Sequence, residues 1–191
     1  MPYREEDISI YWIDSDVELA RAVESWSSVI ALDTEFIRTN TFYPIPGLYQ
    51  VASDKDVFLL DPLTIEDWQP FKDYLVNPDT RKLMHACMED LELIFAHLHI
   101  VPSNVLDTQL ANAYVSEDYS LSYARLIERS LGVVLDKQQT RSDWLQRPLS
   151  DDQLRYAVDD VAHLTAVYEQ LLQQLNDRQR WTWFEEDMRQ R

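Results

Sequence analysis

Ser28-Val29-Ile30-Ala31-Leu32-Asp33-Thr34-Glu35 is an apolar run of β-forming residues that closes on two carboxylates two positions apart. On a strand, side chains at i and i+2 share a face, so Asp33 and Glu35 aim at one point; on a helix they would diverge. The pair therefore reads as the start of a divalent-metal site. Placement rather than composition singles it out, because Asp16/Glu18 and Asp90/Glu92 repeat the Asp-x-Glu string in helix-like surroundings.

Outward from this strand the periodicity alternates between strand and helix, which predicts an α/β fold. Residues 8–13 read as a short strand and 17–25 as an amphipathic helix. Residues 48–53 and 57–60 flank the polar turn Asp54-Lys55-Asp56 and predict an antiparallel hairpin. A helix is expected over 66–76, stopped by Asn77-Pro78, then a strand over 82–86 and a helix over 89–98. A strand over 105–107 leads into a helix over 108–115, and another helix is expected over 121–131. One long helix is predicted over 150–175, opened by the capping-box-like Ser150-Asp151-Asp152-Gln153. The interval 132–148 reads as irregular, and ordered loops of that length tend to carry function.

With 191 residues, 46% of them hydrophobic, the chain has the material for one good core. The expected division is a domain over 1–175 and a C-terminal extension over 176–191, helical or leading into further domains. A formal charge of −17 argues against wrapping a duplex, since polyanions bind through counterion release onto Lys and Arg. It leaves room for an enzyme that grips a few nucleotides at a cation-filled carboxylate cluster, where the ions reverse the local field. Lys137, Arg141 and Arg147 form the densest basic patch, beside Trp144, with Arg125, Arg129 and Arg155 nearby. Two glycines in the whole chain exclude Gly-rich phosphate loops. The single cysteine, Cys87, excludes an internal disulfide framework and fits a reducing cytosol. No apolar run approaches the length of a membrane span and the N-terminus carries no signal pattern, so a soluble, cytoplasmic protein is expected, with no membrane partner.

Three acidic stations follow one another: Asp33/Glu35, Glu89-Asp90 after the strand that ends near His85, and Asp159-Asp160 on the last long helix. Four carboxylates suit two hard cations such as Mg2+ or Mn2+, which stabilise the attacking and leaving oxygens of an in-line phosphoryl displacement. Spacing alone does not choose between Glu89 and Asp90, or between Asp159 and Asp160. Tyr156 lies four residues before Asp160, hence on the same helical face, where its hydroxyl is suited to orienting a water. His163 reads as a packing or supporting residue, and His97 and His99 lack a third ligand for zinc. Trp144 reads as buried support, and the aromatics of Trp181-Thr182-Trp183-Phe184 as packing against the domain.

The ordered blocks Ala31-Leu32-Asp33-Thr34-Glu35-Phe36, Thr41-Phe42-Tyr43-Pro44, Gly47-Leu48-Tyr49-Gln50 and His85-Ala86-Cys87-Met88-Glu89-Asp90-Leu91 continue through Asp107-Thr108-Gln109 and Leu135-Asp136-Lys137. They end with Ser142-Asp143-Trp144-Leu145-Gln146-Arg147-Pro148-Leu149 and Tyr156-Ala157-Val158-Asp159-Asp160-Val161. This set resembles the ribonuclease D exonuclease domain, in the DEDD superfamily of 3′-to-5′ exonucleases, and covers nearly the whole chain. The resemblance implies a ribonuclease H-like fold, a mixed β-sheet flanked by α-helices. It implies Asp33, Glu35, Asp90 and Asp160 as ligands of two divalent cations, Mg2+ or Mn2+, with Tyr156 positioning the water. Arg155 stands where the histidine subclass carries its His, which leaves the Tyr-containing subclass. The implied activity is removal of 5′-mononucleotides from single-stranded RNA 3′ ends, such as those of tRNA precursors or other stable RNAs. Phe36, Gln50, His85, Lys137 and Arg147 are the expected substrate contacts. A DNA-directed exonuclease and a non-catalytic nucleic-acid-binding scaffold of the same fold are the alternatives. Full-length members carry helical C-terminal domains that help hold RNA.

Overall fold

The computed structural model describes residues 7–38, 43–135 and 142–190. In chain order these form β1 (Ser9–Ile13), α1 (Asp16–Ser25), β2 (Val29–Ile37), β3 (Ile45–Ser53), β4 (Asp56–Leu60), α2 (Gln69–Val76), β5 (Arg81–Met84), α3 (Met88–Leu98), β6 (Val105–Asp107), α4 (Thr108–Ala113), α5 (Tyr123–Leu131), α6 (Asp151–Ala162), α7 (Leu164–Asp177) and α8 (Trp181–Arg189). Among the described residues the strands make one mixed sheet in the order β1-β4-β3-β2-β5-β6. The hairpin β3–β4 and the pair β2–β3 are antiparallel, whereas β1–β4, β2–β5 and β5–β6 are parallel.

Strand alternation sorts side chains between the two faces. Ile30 and Leu32 of β2, with Tyr49, Val51, Phe58 and Leu60, pack under α1, α2 and α3. Ala31 of β2, with Leu48, Ala52, Val57 and Leu59, packs under Ala157, Val158 and Val161 of α6. A third cluster joins Leu83 and Leu106 to α4, α5, α7 and Phe184 of α8. Trp181 lies against that cluster and Trp183 points to solvent.

Several boundaries move from those the sequence suggests. The helix expected over 150–175 is two helices meeting at His163, a wholly buried residue at the break. The break lets α6 cover the β2–β4 face and α7 turn its Val167, Leu171 and Leu175 into the third cluster. Both halves keep the same 3.6-residue spacing, so periodicity cannot reveal the break. The α2 helix starts at Gln69, because the backbone N–H groups of Glu66 and Asp67 donate to Asp16 and fix the preceding segment as a loop. The strand expected over 82–86 stops at Met84, since Ala86 takes φ +53 in the turn into α3.

The segment that precedes α6 is held against the sheet by one clamp. Arg147 donates from Nε and Nη2 to both oxygens of Asp61 (3.3 and 2.9 Å), from Nη2 to Gly47 O (2.7 Å), and from Nη1 to Trp144 O and Gln146 O (both 2.8 Å). These bonds occupy the five N–H donors of a guanidinium. Its Cζ also stands 5.6 Å from the Trp12 ring centroid. Close approach here requires glycine at 47: a Cβ on it would lie 2.6 Å from Trp144 Cβ and 2.8 Å from Trp144 O.

Arg147→Met should lower the unfolding free energy by roughly 3 kcal/mol, the usual result of leaving one charge of a buried pair without its partner. Asp61 is only 3% exposed and would be that charge. Urea denaturation checks this, and a loss below about 1 kcal/mol would show the clamp to be dispensable.

Candidate active site

Asp33 and Glu35 lie on the β2 face covered by α6, and the antiparallel register places Gln50 of β3 opposite Asp33. α6 crosses this face and delivers Asp160, so that ligand atoms of Asp33, Glu35 and Asp160 all lie within 4.8 Å of one another. Tyr156, one helical turn before Asp160, has its hydroxyl near enough to feel the charges of Asp160, Glu35 and Asp33, and its ring centroid stands 6.1 Å from that of Trp144. The Arg147 clamp thereby backs the ring of Tyr156 through Trp144. Asp143 O adds to this by accepting from the buried amide of Gln153, in the first turn of α6 (3.0 Å).

Asp90 arrives from the opposite layer. β5 pairs with β2 only from Val29 to Ala31, so the β2 edge beyond that point is free to receive the N-terminus of α3. Asp107 fixes the turn into α3 by accepting from Ala86 N (2.9 Å) and Cys87 N (3.0 Å) while also capping α4 through Gln109 N (2.8 Å). Asp90 is buried in this arrangement and accepts from the Thr34 hydroxyl, whereas Glu89 points to solvent. Asp159 and Arg155 face away from the cluster, toward an apolar groove of about 800 Å³ walled by Trp12, Leu59 and Val158. Structure thus separates the adjacent acids that spacing left equivalent.

Burial pushes Asp33, Glu35 and Asp160 well above the usual carboxylate range, and neighbouring carboxylates push each one further. Asp90 is raised to about 7, again chiefly by burial, although hydrogen bonds to Thr34 and Asp33 hold it down. Asp33, Glu35 and Asp160 stand close enough for each to act on the others. The charges acting most strongly on these acids are other acids, so the cluster is short of positive charge. A compact set of carboxylate oxygens in that condition fits hard divalent cations. Burial and the adjoining carboxylates also raise the Tyr156 hydroxyl, which stays protonated and suits a hydrogen-bonding role rather than that of a base.

The residues expected to touch substrate lie in different settings. Phe36 is half-buried, just past the irregularity in β2 pairing between Glu35 and Phe36. Gln50 is wholly buried and donates from Nε2 to Glu35 Oε1 (3.1 Å), a support that the β2–β3 register makes legible. His85 has Nδ1 2.9 Å from Thr108 Oγ1 and Nε2 2.9 Å from Leu121 O, and burial lowers its pKa. Arg147 is engaged in the clamp. Lys137 lies outside the described residues, as do Asp136, Arg141, Thr41 and Phe42. Of the histidines set aside from the sequence, His97 meets the Tyr49 hydroxyl at 2.7 Å and His99 caps α3 in the left-handed region. Thr34 and Asp107 were missed as site residues; Asp107 carries the signal of an Asp helix cap, while Thr34 carries none.

A family profile described as 3′-5′ exonuclease matches residues 10–176. Ribonuclease D of Pseudomonas paraeruginosa is 45% identical over 180 residues, 93% of this chain and 48% of that protein. The crystal structure of Escherichia coli RNase D, an exoribonuclease involved in structured RNA processing, matches with a TM-score of 0.88 and 36% identity, over 99% of this chain and 49% of the other. Trypanosoma brucei RNase D in complex with RNA U12 matches with a TM-score of 0.76 and 28% identity, over 85% and 62%. The chain spans about half the length of the curated relatives it matches. Among the described residues, no helix is long and apolar enough to cross a membrane.

Raised carboxylate pKa values have a definite thermodynamic sign. Between about pH 4, where unfolded carboxylates titrate, and about pH 7, where Asp90 does, the folded state binds more protons than the unfolded state. Stability therefore falls as pH rises through that window. In EDTA the protein should melt at a lower temperature at pH 8 than at pH 5, with Mn2+ restoring the loss at pH 8. Asp33→Asn should melt above the wild type in EDTA by a margin that widens with pH, which separates the cluster from the overall charge. A margin that stays constant from pH 5 to 8 would show that the cluster is not under electrostatic stress.

Proposed function

The chain belongs to the 3′-5′ exonuclease family, with a ribonuclease H-like sheet and ribonuclease D enzymes among its relatives, and from that premise we propose that it is an exoribonuclease releasing 5′-mononucleotides from RNA 3′ ends. The observation that carries the reading is the convergence of Asp33, Glu35 and Asp160 beside the Tyr156 hydroxyl, with the buried Asp90 held by Thr34, which lies between Asp33 and Glu35 in sequence. An RNA substrate is supported by the ribonuclease D relatives and by the RNA complex of the Trypanosoma brucei enzyme. Single-stranded 3′ ends, including those of tRNA precursors, are the proposed targets, in a cytoplasm that the lone Cys87 suits. Residues 1–175 are the proposed hydrolytic unit and 176–191 an extension, whose Phe184 packs into the third core cluster.

Asp33, Glu35, Asp90 and Asp160 would hold Mg2+ or Mn2+. Bound there, the cations supply Lewis-acid polarisation of the scissile phosphate and a water of lowered pKa. The Tyr156 hydroxyl would orient the attacking water from the α6 side, while Gln50 keeps Glu35 aimed at the cluster. The water oxygen forms a bond to phosphorus and the bond from phosphorus to the 3′ oxygen of the penultimate nucleotide breaks. The attacking water gives up one proton and the departing oxygen takes one up from solvent as the new 3′-hydroxyl, and the phosphate departs on the terminal nucleotide as a 5′-monophosphate. With a formal charge of −17, this unit offers few cations for counterion release, so its own affinity for RNA should be weak and its salt dependence shallow.

RNA labelled at its 5′ end should shorten stepwise in Mg2+ or Mn2+ and remain intact in EDTA. A 3′-phosphate should block it and circular RNA should survive. Cutting of circular RNA at the linear rate would make the protein an endonuclease, and preference for matched DNA would transfer the activity to the other polymer. Tyr156→Phe keeps the ring and loses the hydroxyl, so turnover should fall about a hundredfold while Mn2+ affinity stays near wild type. Unchanged turnover in this variant would remove Tyr156 from the mechanism.

A further inference from the structure

We propose that Thr34 is a positioning residue for Asp90, holding one carboxylate oxygen so that the other is presented to the cluster; this rests on the metal-dependent reading above. The reason lies in the layers. Ala31, Asp33 and Glu35 of β2 face α6, whereas Ile30 and Leu32 face the layer of α1, α2 and α3, and strand alternation puts Thr34 with them. Asp90 sits in the first turn of α3, on the Thr34 side. It is therefore the one acid of the four that neither β2 nor α6 delivers to the common point.

Thr34 is buried and donates from Oγ1 to Asp90 Oδ1, a side-chain bond across 56 residues of sequence. A β-branched side chain has few χ1 states, so a buried Thr offers its hydroxyl in nearly one direction. A carboxylate with one oxygen held by such a donor cannot rotate freely, and its second oxygen keeps a fixed aim. The Asp90 and Asp33 carboxyl groups are near enough to act on each other electrostatically, which gives that second direction. Packing alone does not require a hydroxyl here, because valine has nearly the same shape and is well suited to a buried strand. The backbone entering α3 is held independently, by Asp107 on Ala86 N and Cys87 N. Removing the Thr34 hydroxyl should thus release the Asp90 carboxylate without releasing the helix that carries it.

The test is calorimetric Mn2+ binding to wild type, Thr34→Val, Thr34→Ser, Asp90→Asn and the double variant Thr34→Val/Asp90→Asn, with melting in EDTA as the folding control. Removing a hydrogen-bond partner of a metal ligand commonly weakens affinity 10- to 100-fold. Thr34→Val should bind Mn2+ about tenfold more weakly or worse, and Thr34→Ser should restore most of the loss. In the double variant the loss should not exceed that of Asp90→Asn alone, because the hydroxyl acts only through that carboxylate. In turnover, Thr34→Val should raise the Mn2+ concentration needed for half-maximal rate more than it lowers the rate at saturation. Wild-type Mn2+ affinity in Thr34→Val overturns the assignment, as do additive losses in the double variant. If Thr34→Val does not fold, Thr34→Ser against Thr34→Ala decides by the same comparison. A wild type that fails to bind Mn2+ at all overturns the metal-dependent reading and the role of Thr34 with it, an outcome distinct from every failure confined to the variants.

Discussion

Like charges crowded into a partly desolvated cleft set the terms for the rest of this structure. Asp33, Glu35, Asp90 and Asp160 are brought together although burial and mutual repulsion oppose their ionisation. No local element produces such a grouping by itself. A strand supplies two acids on one face, a helix on that face supplies a third, and a helix from the other face supplies the fourth. The open edge of β2 beyond Ala31 is what permits the last of these. In open α/β sheets, sites commonly lie outside the carboxyl ends of strands, and here those ends belong to β2 and the shorter β5 beside it.

Holding repelling groups in place takes a surrounding frame whose own polar groups are satisfied. On one side Arg147 fills its donors with Asp61 and three backbone carbonyls, and glycine at 47 lets the Trp144 backbone lie against β3. On the other side Asp107 ties the turn before α3 to the start of α4. Behind the site, at the opposite end of β5, the buried Lys82 donates to Asn77 O, Thr80 O and Ser103 O at 2.7–2.8 Å. That ammonium joins two loops and supplies a donor to the carbonyls of Thr80 and Ser103, while Asn77 O also accepts from Thr80. These contacts are far apart in sequence and give the acids fixed positions.

The strand pair Asp33/Glu35 was legible because period 2 is a local property. So was the antiparallel hairpin, from the polar turn between two β-rich runs. Tyr156 and Asp160 could be placed on one face by helical spacing alone. What remained illegible depended on partners distant in sequence. Arg147 looked like part of a basic patch, since nothing local shows that Asp61, 86 residues earlier, takes its charge. Glu89 and Asp90 are equal in composition, and only the α3 entry angle buries one and exposes the other. The division of α6 from α7 serves two different core clusters, a tertiary demand written over an unbroken helical pattern. Thr34 sat inside the most informative stretch and was still overlooked, because alternation sends its side chain away from the acids on either side of it.

The electrostatic stress of the site links folding to function. A ligand that binds only the folded state adds RT ln(1 + [L]/Kd) to stability, so a cation that relieves the repulsion also stabilises the frame around it. Any substitution that relaxes the cluster without a cation, such as an acid turned to its amide, should stabilise the metal-free protein while removing one of the proposed ligands. Stability and activity then move in opposite directions at these positions and together at the clamp, where Arg147 and Asp61 are an opposite-charge pair. This difference in sign, rather than the size of either effect, distinguishes residues that do the chemistry from residues that hold it.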